Sequence, residues 1–66
     1  MNEIVIDSVY EDGTKRTSGH SVKDETLILS CLLGVLGSML ANGERLISIT
    51  VKYAEGGHII STLDLP

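Results

Sequence analysis

Residues 27–41, with the sequence LILSCLLGVLGSMLA, decide the fold because they form a long run without a charged side chain. Placed at about 100° per residue on a helix, the large apolar side chains fill an arc of roughly 200°. This arc contains Ile28, Leu29, Cys31, Leu32, Leu33, Val35, Leu36, Met39 and Leu40. The remaining sector is mostly small and contains Thr26, Ser30, Gly34, Gly37, Ser38 and Ala41. A helix on a sheet needs an apolar stripe of little more than about 100°, so this helix has about twice the width that one sheet covers.

Capping residues mark the two ends of this helix. Ser21 or Asp24 suits the N-cap, and Asn42-Gly43 is a strong stop signal because both residues tolerate the left-handed conformation that ends helices. We therefore predict a helix over residues 23–41. Residues 27–41 would span only about 22 Å at about 1.5 Å per residue, so they predict a core helix and no membrane insertion.

The residues on either side of the helix predict two hairpins. β-branched residues and alternation of apolar and polar residues indicate strands, and Asp12-Gly13 suits a tight turn. The strands are predicted over residues 3–10, 14–18, 45–53 and 58–65. Gly19 is expected to end the second strand. In the last strand, alternation places Ile59 with Leu63 on one face and Ile60 on the other.

The order of these elements predicts an α+β fold of the type ββαββ. We expect a single domain over residues 1–66, with a four-stranded antiparallel sheet and one central apolar helix packed on one face of it. The pattern leaves the order of the strands in the sheet open.

Small size and a wide apolar helix together predict self-association. A chain of 66 residues buries only about 60 % of the surface that its unfolded form exposes. Cys31 is the only cysteine, so it forms no disulfide within the chain, and with His20 and His58 it lacks the spacing of a zinc site. Because twofold homodimers are the commonest oligomers, we predict a homodimer.

The expected interface lies on the helix. Gly34 and Gly37 each cost about 1 kcal/mol relative to alanine inside a helix, and the close approach of a second helix would explain both. The alternative is that glycine is simply tolerated or fits beneath the sheet. The predicted interface residues are Leu29, Leu33, Gly34, Leu36, Gly37 and Leu40.

Charge and residue chemistry exclude several classes of function. Nine acidic residues against five basic ones give a formal net charge of −4, which argues against direct binding of nucleic acid. Cys31 lies in the apolar arc and is expected to be a buried, inert thiol. No paired acids or nucleophile–base pair is apparent, so we predict no enzyme, no catalytic residue, no cofactor and no metal. The unpaired cysteine and the lack of a secretory signal predict a cytoplasmic protein.

Three functional classes remain. The favoured one is a small acidic homodimeric protein–protein interaction module, such as an inhibitor of a larger host or nucleic-acid-handling enzyme, in the general style of small phage proteins. Its partner is an unidentified protein, and the residues expected to face it are the acids Glu3, Asp7, Glu11 and Asp12. The second class binds a small ligand or nucleotide in a dimer cleft lined by Tyr10, Arg45 and Tyr53. The third is a structural subunit of a larger assembly.

Overall fold

Four antiparallel strands and one α-helix form the framework of residues 2–66, the part of the chain that the computed structural model describes. The elements are β1 (Asn2–Tyr10), β2 (Lys15–Val22), a short 3-10 turn (Glu25–Leu27), α1 (Ile28–Ala41), β3 (Leu46–Tyr53) and β4 (Ile59–Asp64). The predicted α+β fold of order ββαββ, with the helix on one face of the sheet, is confirmed.

The strand order in the sheet is β2-β1-β3-β4. β1 is central and pairs antiparallel with both β2 and β3. β2 and β3 are therefore parallel to each other on either side of β1, and α1 is the connection between them. β2 and β4 form the two edges of the sheet.

The core lies between α1 and the inner face of the sheet, meaning the face turned towards the helix. Alternate residues of the central strands project into it, as the period of two requires. The buried core residues are Ile4 and Ile6 of β1, Val22 of β2, Ile28 and Leu32 of α1, and Ile49 and Val51 of β3. Ser8 is also fully buried, and its hydroxyl lies 3.9 Å from the Sδ atom of Met39.

The second strand is longer than predicted. Gly19 does not end β2; it pairs with Val5, and the strand continues to Val22, which belongs to the core. The prediction was wrong because pairing with a long neighbouring strand overrides the local weakness of one glycine. Ser21 consequently lies in β2 and does not cap the helix.

The helix starts later than predicted but ends where expected. The carboxylate of Asp24 accepts a hydrogen bond from the backbone N–H of Thr26 (2.7 Å), so Asp24 is the N-cap, and the first turn is a 3-10 turn. The α-helix ends at Ala41, and Gly43 follows with a φ of +77°, a conformation in which glycine is strongly favoured. The Asn42-Gly43 stop signal is therefore confirmed.

The last strand contains a bulge that changes which residues face the helix. The register between β3 and β4 shifts between Val51 and Lys52. Ile60 consequently packs against the core together with Leu63, whereas Ile59 is 68 % exposed. The prediction that Ile59 shares a face with Leu63 was wrong, because an extra residue in one strand breaks strict alternation.

Candidate protein-interaction surface

One side of α1 remains uncovered by the rest of the chain. Ile28 and Leu32 are buried against the sheet, and Leu36 is half-buried at the margin of the core. Further round the helix, Leu29 is 55 %, Leu33 is 58 % and Leu40 is 50 % exposed. We call Leu29, Leu33, Leu36 and Leu40 the leucine flank.

The leucine flank carries no charge although the chain as a whole is acidic. No Asp, Glu, Lys or Arg occurs between Glu25 and Glu44. A helix whose outer side faces water normally presents charged or strongly polar residues there. The uncovered part of α1 instead exposes leucine, glycine, serine and alanine, none of which carries a charge.

Gly34 and Gly37 lie on the exposed part of the helix and not beneath the sheet. Apart from its chain neighbours and the nearby backbone of the helix itself, a Cβ atom added to either would meet no atom within 4 Å, and neither residue has a positive φ. The fold of the single chain thus has no steric need for glycine at these positions. The alternative that they fit under the sheet is excluded, while their place in an interface stays a prediction.

The acids Glu3 and Asp7 lie on the outer face of the sheet, away from the helix. The Asp7 carboxylate is 3.0 Å from Nζ of Lys52 and accepts a hydrogen bond from the hydroxyl of Thr17 at 2.8 Å. The hydrogen bond from Lys52 and then that from Thr17 hold the pKa of Asp7 below its usual value. Glu3 accepts a hydrogen bond from the hydroxyl of Ser21 at 2.7 Å. Both acids are thus engaged by neighbouring strands.

The acids Glu11 and Asp12 lie elsewhere, in the turn between β1 and β2. Glu11 is 3.3 Å from Nε of Arg45. Asp12 accepts hydrogen bonds from the hydroxyl (2.6 Å) and the backbone N–H (2.9 Å) of Thr14, which lower the pKa of Asp12. The four acids expected to face a partner therefore occupy two places, and each has a partner in its own chain.

The residues expected to line a ligand cleft do not meet within one chain. Tyr10 and Arg45 border a shallow depression of about 290 Å³ together with Glu11 and Asp12. Tyr53 lies opposite Ile4, near the other end of the sheet. Six residues of strand, or roughly 20 Å, separate the two ends.

A polar cluster that the sequence did not reveal joins the end of α1 to the sheet. The hydroxyl of Tyr10 donates a hydrogen bond to Oε1 of Glu44 at 2.6 Å, and this bond raises the pKa of Tyr10. Arg16 lies 3.6 Å from the same carboxylate oxygen and 5.7 Å from the centre of the Tyr10 ring. The three residues come from β1, β2 and the loop after α1, so no local pattern in the sequence connects them.

The remaining candidate groups are the thiol of Cys31 and the imidazole of His20. Cys31 is a free thiol and is half-buried, whereas a buried one was expected. His20 shares a hydrogen bond of 2.9 Å with the hydroxyl of Ser18. No group of three or more potential metal ligands is found in this part of the chain. Its only α-helix has 14 residues and is too short to cross a membrane.

Comparison of the chain with protein-family models, with curated proteins and with solved structures finds no match. A functional proposal therefore depends on the chemistry of the surface, and the leucine flank is its most unusual feature.

Proposed function

We propose that this protein is a protein–protein interaction module that forms a homodimer through the leucine flank of α1. The observation that supports this proposal is the exposure of Leu29, Leu33 and Leu40, each by half or more, on a helix surface without charges. Full burial of a leucine side chain contributes about 1.5–3 kcal/mol, so covering the exposed half of each contributes roughly 1 kcal/mol.

The shape of the surface favours a protein over a small ligand. Small-molecule sites are concave and enclose most of the ligand, whereas the leucine flank is the convex side of a helix. Helix surfaces pack on other secondary-structure elements by fitting side-chain ridges into grooves. Gly37 borders the flank on its outer side, where a small residue leaves room for a neighbouring backbone.

The distribution of charge favours a second copy of the same chain. A twofold dimer brings the same surface of both chains together, so a charged surface would place like charges against each other. The leucine flank is neutral, while the net charge of −4 resides elsewhere on each chain. The outer face of the sheet and the hairpin turns, where the acids lie, remain free in such a dimer to bind the larger protein partner.

Light scattering across a range of micromolar concentrations tests this proposal. We expect a mass of twice 7.1 kDa for the wild type and a shift towards 7.1 kDa for Leu33→Lys, which puts a charge in the flank. The matched control is Ser38→Lys, a lysine at an exposed position on the opposite side of the same helix. A wild type that is folded and monomeric throughout, or a dimer that Leu33→Lys and Ser38→Lys leave equally intact, would refute the proposal.

A further inference from the structure

The Asn42-Gly43 pair that ends α1 is also the kind of dipeptide in which asparagine loses its side-chain amide most readily. The backbone nitrogen of Gly43 attacks Cγ of Asn42, the bond from Cγ to the side-chain nitrogen breaks, and ammonia leaves with the proton of Gly43. Water then opens the resulting succinimide ring to aspartate or isoaspartate. Glycine favours this reaction because it has no side chain to hinder its nitrogen. Asn42 is exposed, so water and hydroxide reach it.

Backbone hydrogen bonds hold the attacking nitrogen in the helix end. The N–H of Gly43 donates to the carbonyl of Leu40 at 3.0 Å, and the N–H of Glu44 donates to the carbonyl of Met39 at 3.1 Å. These are the two bonds of a Schellman motif, in which a glycine with positive φ follows the helix. The nitrogen that must attack Asn42 is therefore engaged in closing the last turn of α1.

The backbone angle at Asn42 also opposes the reaction. Ring closure requires Cβ of Asn42 and the nitrogen of Gly43 to eclipse each other about the Cα–C bond. The ψ of Asn42 is 4°, so its own nitrogen eclipses that of Gly43, and Cβ is turned away by about one-third of a turn. Rotation to the reactive angle displaces the N–H groups of Gly43 and Glu44, so both hydrogen bonds of the motif must open first.

The polar cluster of Tyr10, Arg16 and Glu44 holds the same segment from the side of the sheet. The side chain of Glu44 accepts the hydrogen bond from Tyr10 at 2.6 Å and lies 3.6 Å from Arg16. Because the backbone of Glu44 is bonded to α1, this residue ties the helix end to β1 and β2. Hydrogen bonds to a charged group are among the stronger ones, so local opening at Asn42 costs more with this cluster than without it.

We propose that Asn42 is a deamidation site whose rate of conversion is set by the hydrogen bond between Tyr10 and Glu44. In the closed helix end the nitrogen of Gly43 is held away from Cγ, and the reaction proceeds through molecules in which the last turn has opened. Tyr10 is thus a positioning residue for a reaction at a site 32 residues further along the chain. The protection acts within one chain and does not depend on the proposed dimer.

Deamidation changes the end of the helix that carries the leucine flank. It adds one negative charge to a chain whose net charge is already −4. The new carboxylate lies at the C-terminus of α1, where the helix dipole disfavours an anion, and Glu44 is a second negative charge two residues further on. The product is therefore less stable than the original chain, and Asn42→Asp should lower the melting temperature.

Two matched substitutions test the proposal in the full chain. Tyr10→Phe and Tyr53→Phe each remove one tyrosine hydroxyl, and Tyr53 lies at the opposite end of the sheet. The variants are incubated at mildly alkaline pH, and conversion at Asn42 is followed by peptide mass spectrometry. Glu44 raises the pKa of Tyr10, so the hydroxyl keeps its proton at this pH. We expect Tyr10→Phe to speed conversion roughly fivefold and Tyr53→Phe to leave it within about twofold of wild type.

Wild type unfolded in urea gives the rate without protection, and we expect the folded chain to convert at least about tenfold more slowly. Glu44→Ala removes the acceptor and leaves the tyrosine in place, so it should accelerate conversion as Tyr10→Phe does. Circular dichroism confirms that the variants are folded. Equal rates in the folded and unfolded wild type would overturn the proposal. So would folded Tyr10→Phe or Glu44→Ala variants that convert no faster than Tyr53→Phe.

Discussion

Leu32 and Leu33 are neighbours in the chain, yet Leu32 is fully buried and Leu33 is 58 % exposed. The two side chains are identical and the backbone is helical at both, so the difference comes only from the direction in which each points. Leu32 contacts the core between α1 and the sheet, and Leu33 projects from the leucine flank. One helix therefore contains both a core completed by its own chain and an apolar surface that the chain leaves uncovered.

The largest effect is expected where these two leucines are truncated. Leu32→Ala opens a cavity in the core and should lower the free energy of unfolding by about 2–5 kcal/mol, as for other buried leucines. Leu33→Ala should cost roughly 1 kcal/mol per chain, because only its exposed half is covered in the dimer. Urea unfolding of both variants provides the measurement.

Protein concentration separates the two effects. The loss of unfolding free energy caused by Leu32→Ala should be the same at all protein concentrations. The loss caused by Leu33→Ala should vanish on dilution below the dissociation constant of the dimer. Equal, concentration-independent losses in both variants would contradict the distinction between core and flank.

A smaller effect is expected at the glycines. Alanine fits at Gly34 and Gly37 without contact in the single chain, so each substitution should stabilise the helix of the monomer by about 1 kcal/mol. Gly37 borders the leucine flank, and there the added methyl group should offset part of the gain in the dimer. Thermal unfolding at low and at high protein concentration measures the stability of the monomer and of the dimer. A destabilised Gly34→Ala monomer would show that the surroundings of Gly34 are not open.

The smallest effect concerns Asp7 and depends on pH. Lys52 and Thr17 lower the pKa of Asp7 in the folded state, so the carboxylate contributes stability above its unfolded pKa, and this contribution is lost as the pH falls through the folded pKa. For a partly exposed ion pair we expect about 0.5 kcal/mol. Asp7→Asn should therefore be less stable than wild type at neutral pH. The difference in the free energy of unfolding between the two should disappear as the pH falls below about 4. A gap that stays constant down to pH 2 would argue against the ion pair as its cause.

The sequence predicts those parts of the fold that follow from local patterns. Alternating β-branched residues indicate the central strands, and Asn42-Gly43 indicates the end of the helix, because these signals depend on a few adjacent residues. The wide apolar arc of the helix predicts that some leucines remain uncovered. It does not identify them, since the orientation of α1 on the sheet depends on contacts made by distant strands.

The errors arise where pairing between strands overrides a local signal. Gly19 resembles a strand end, but β1 continues beside it and holds it in the sheet. The bulge at Ile60 has no marker residue and becomes apparent only in the register with β3. The cluster of Tyr10, Arg16 and Glu44 unites three elements and is equally hidden in the linear order.

The positions of the two tyrosines offer a way to observe how the molecule opens. The chain has no tryptophan or phenylalanine, so Tyr10 and Tyr53 provide its near-ultraviolet aromatic signal. They lie at opposite ends of the sheet, Tyr10 beside the end of α1 and Tyr53 beside the start of β1. Replacing either one by phenylalanine leaves a single tyrosine reporter for the other end, so the melting of each end is recorded separately without any attached dye.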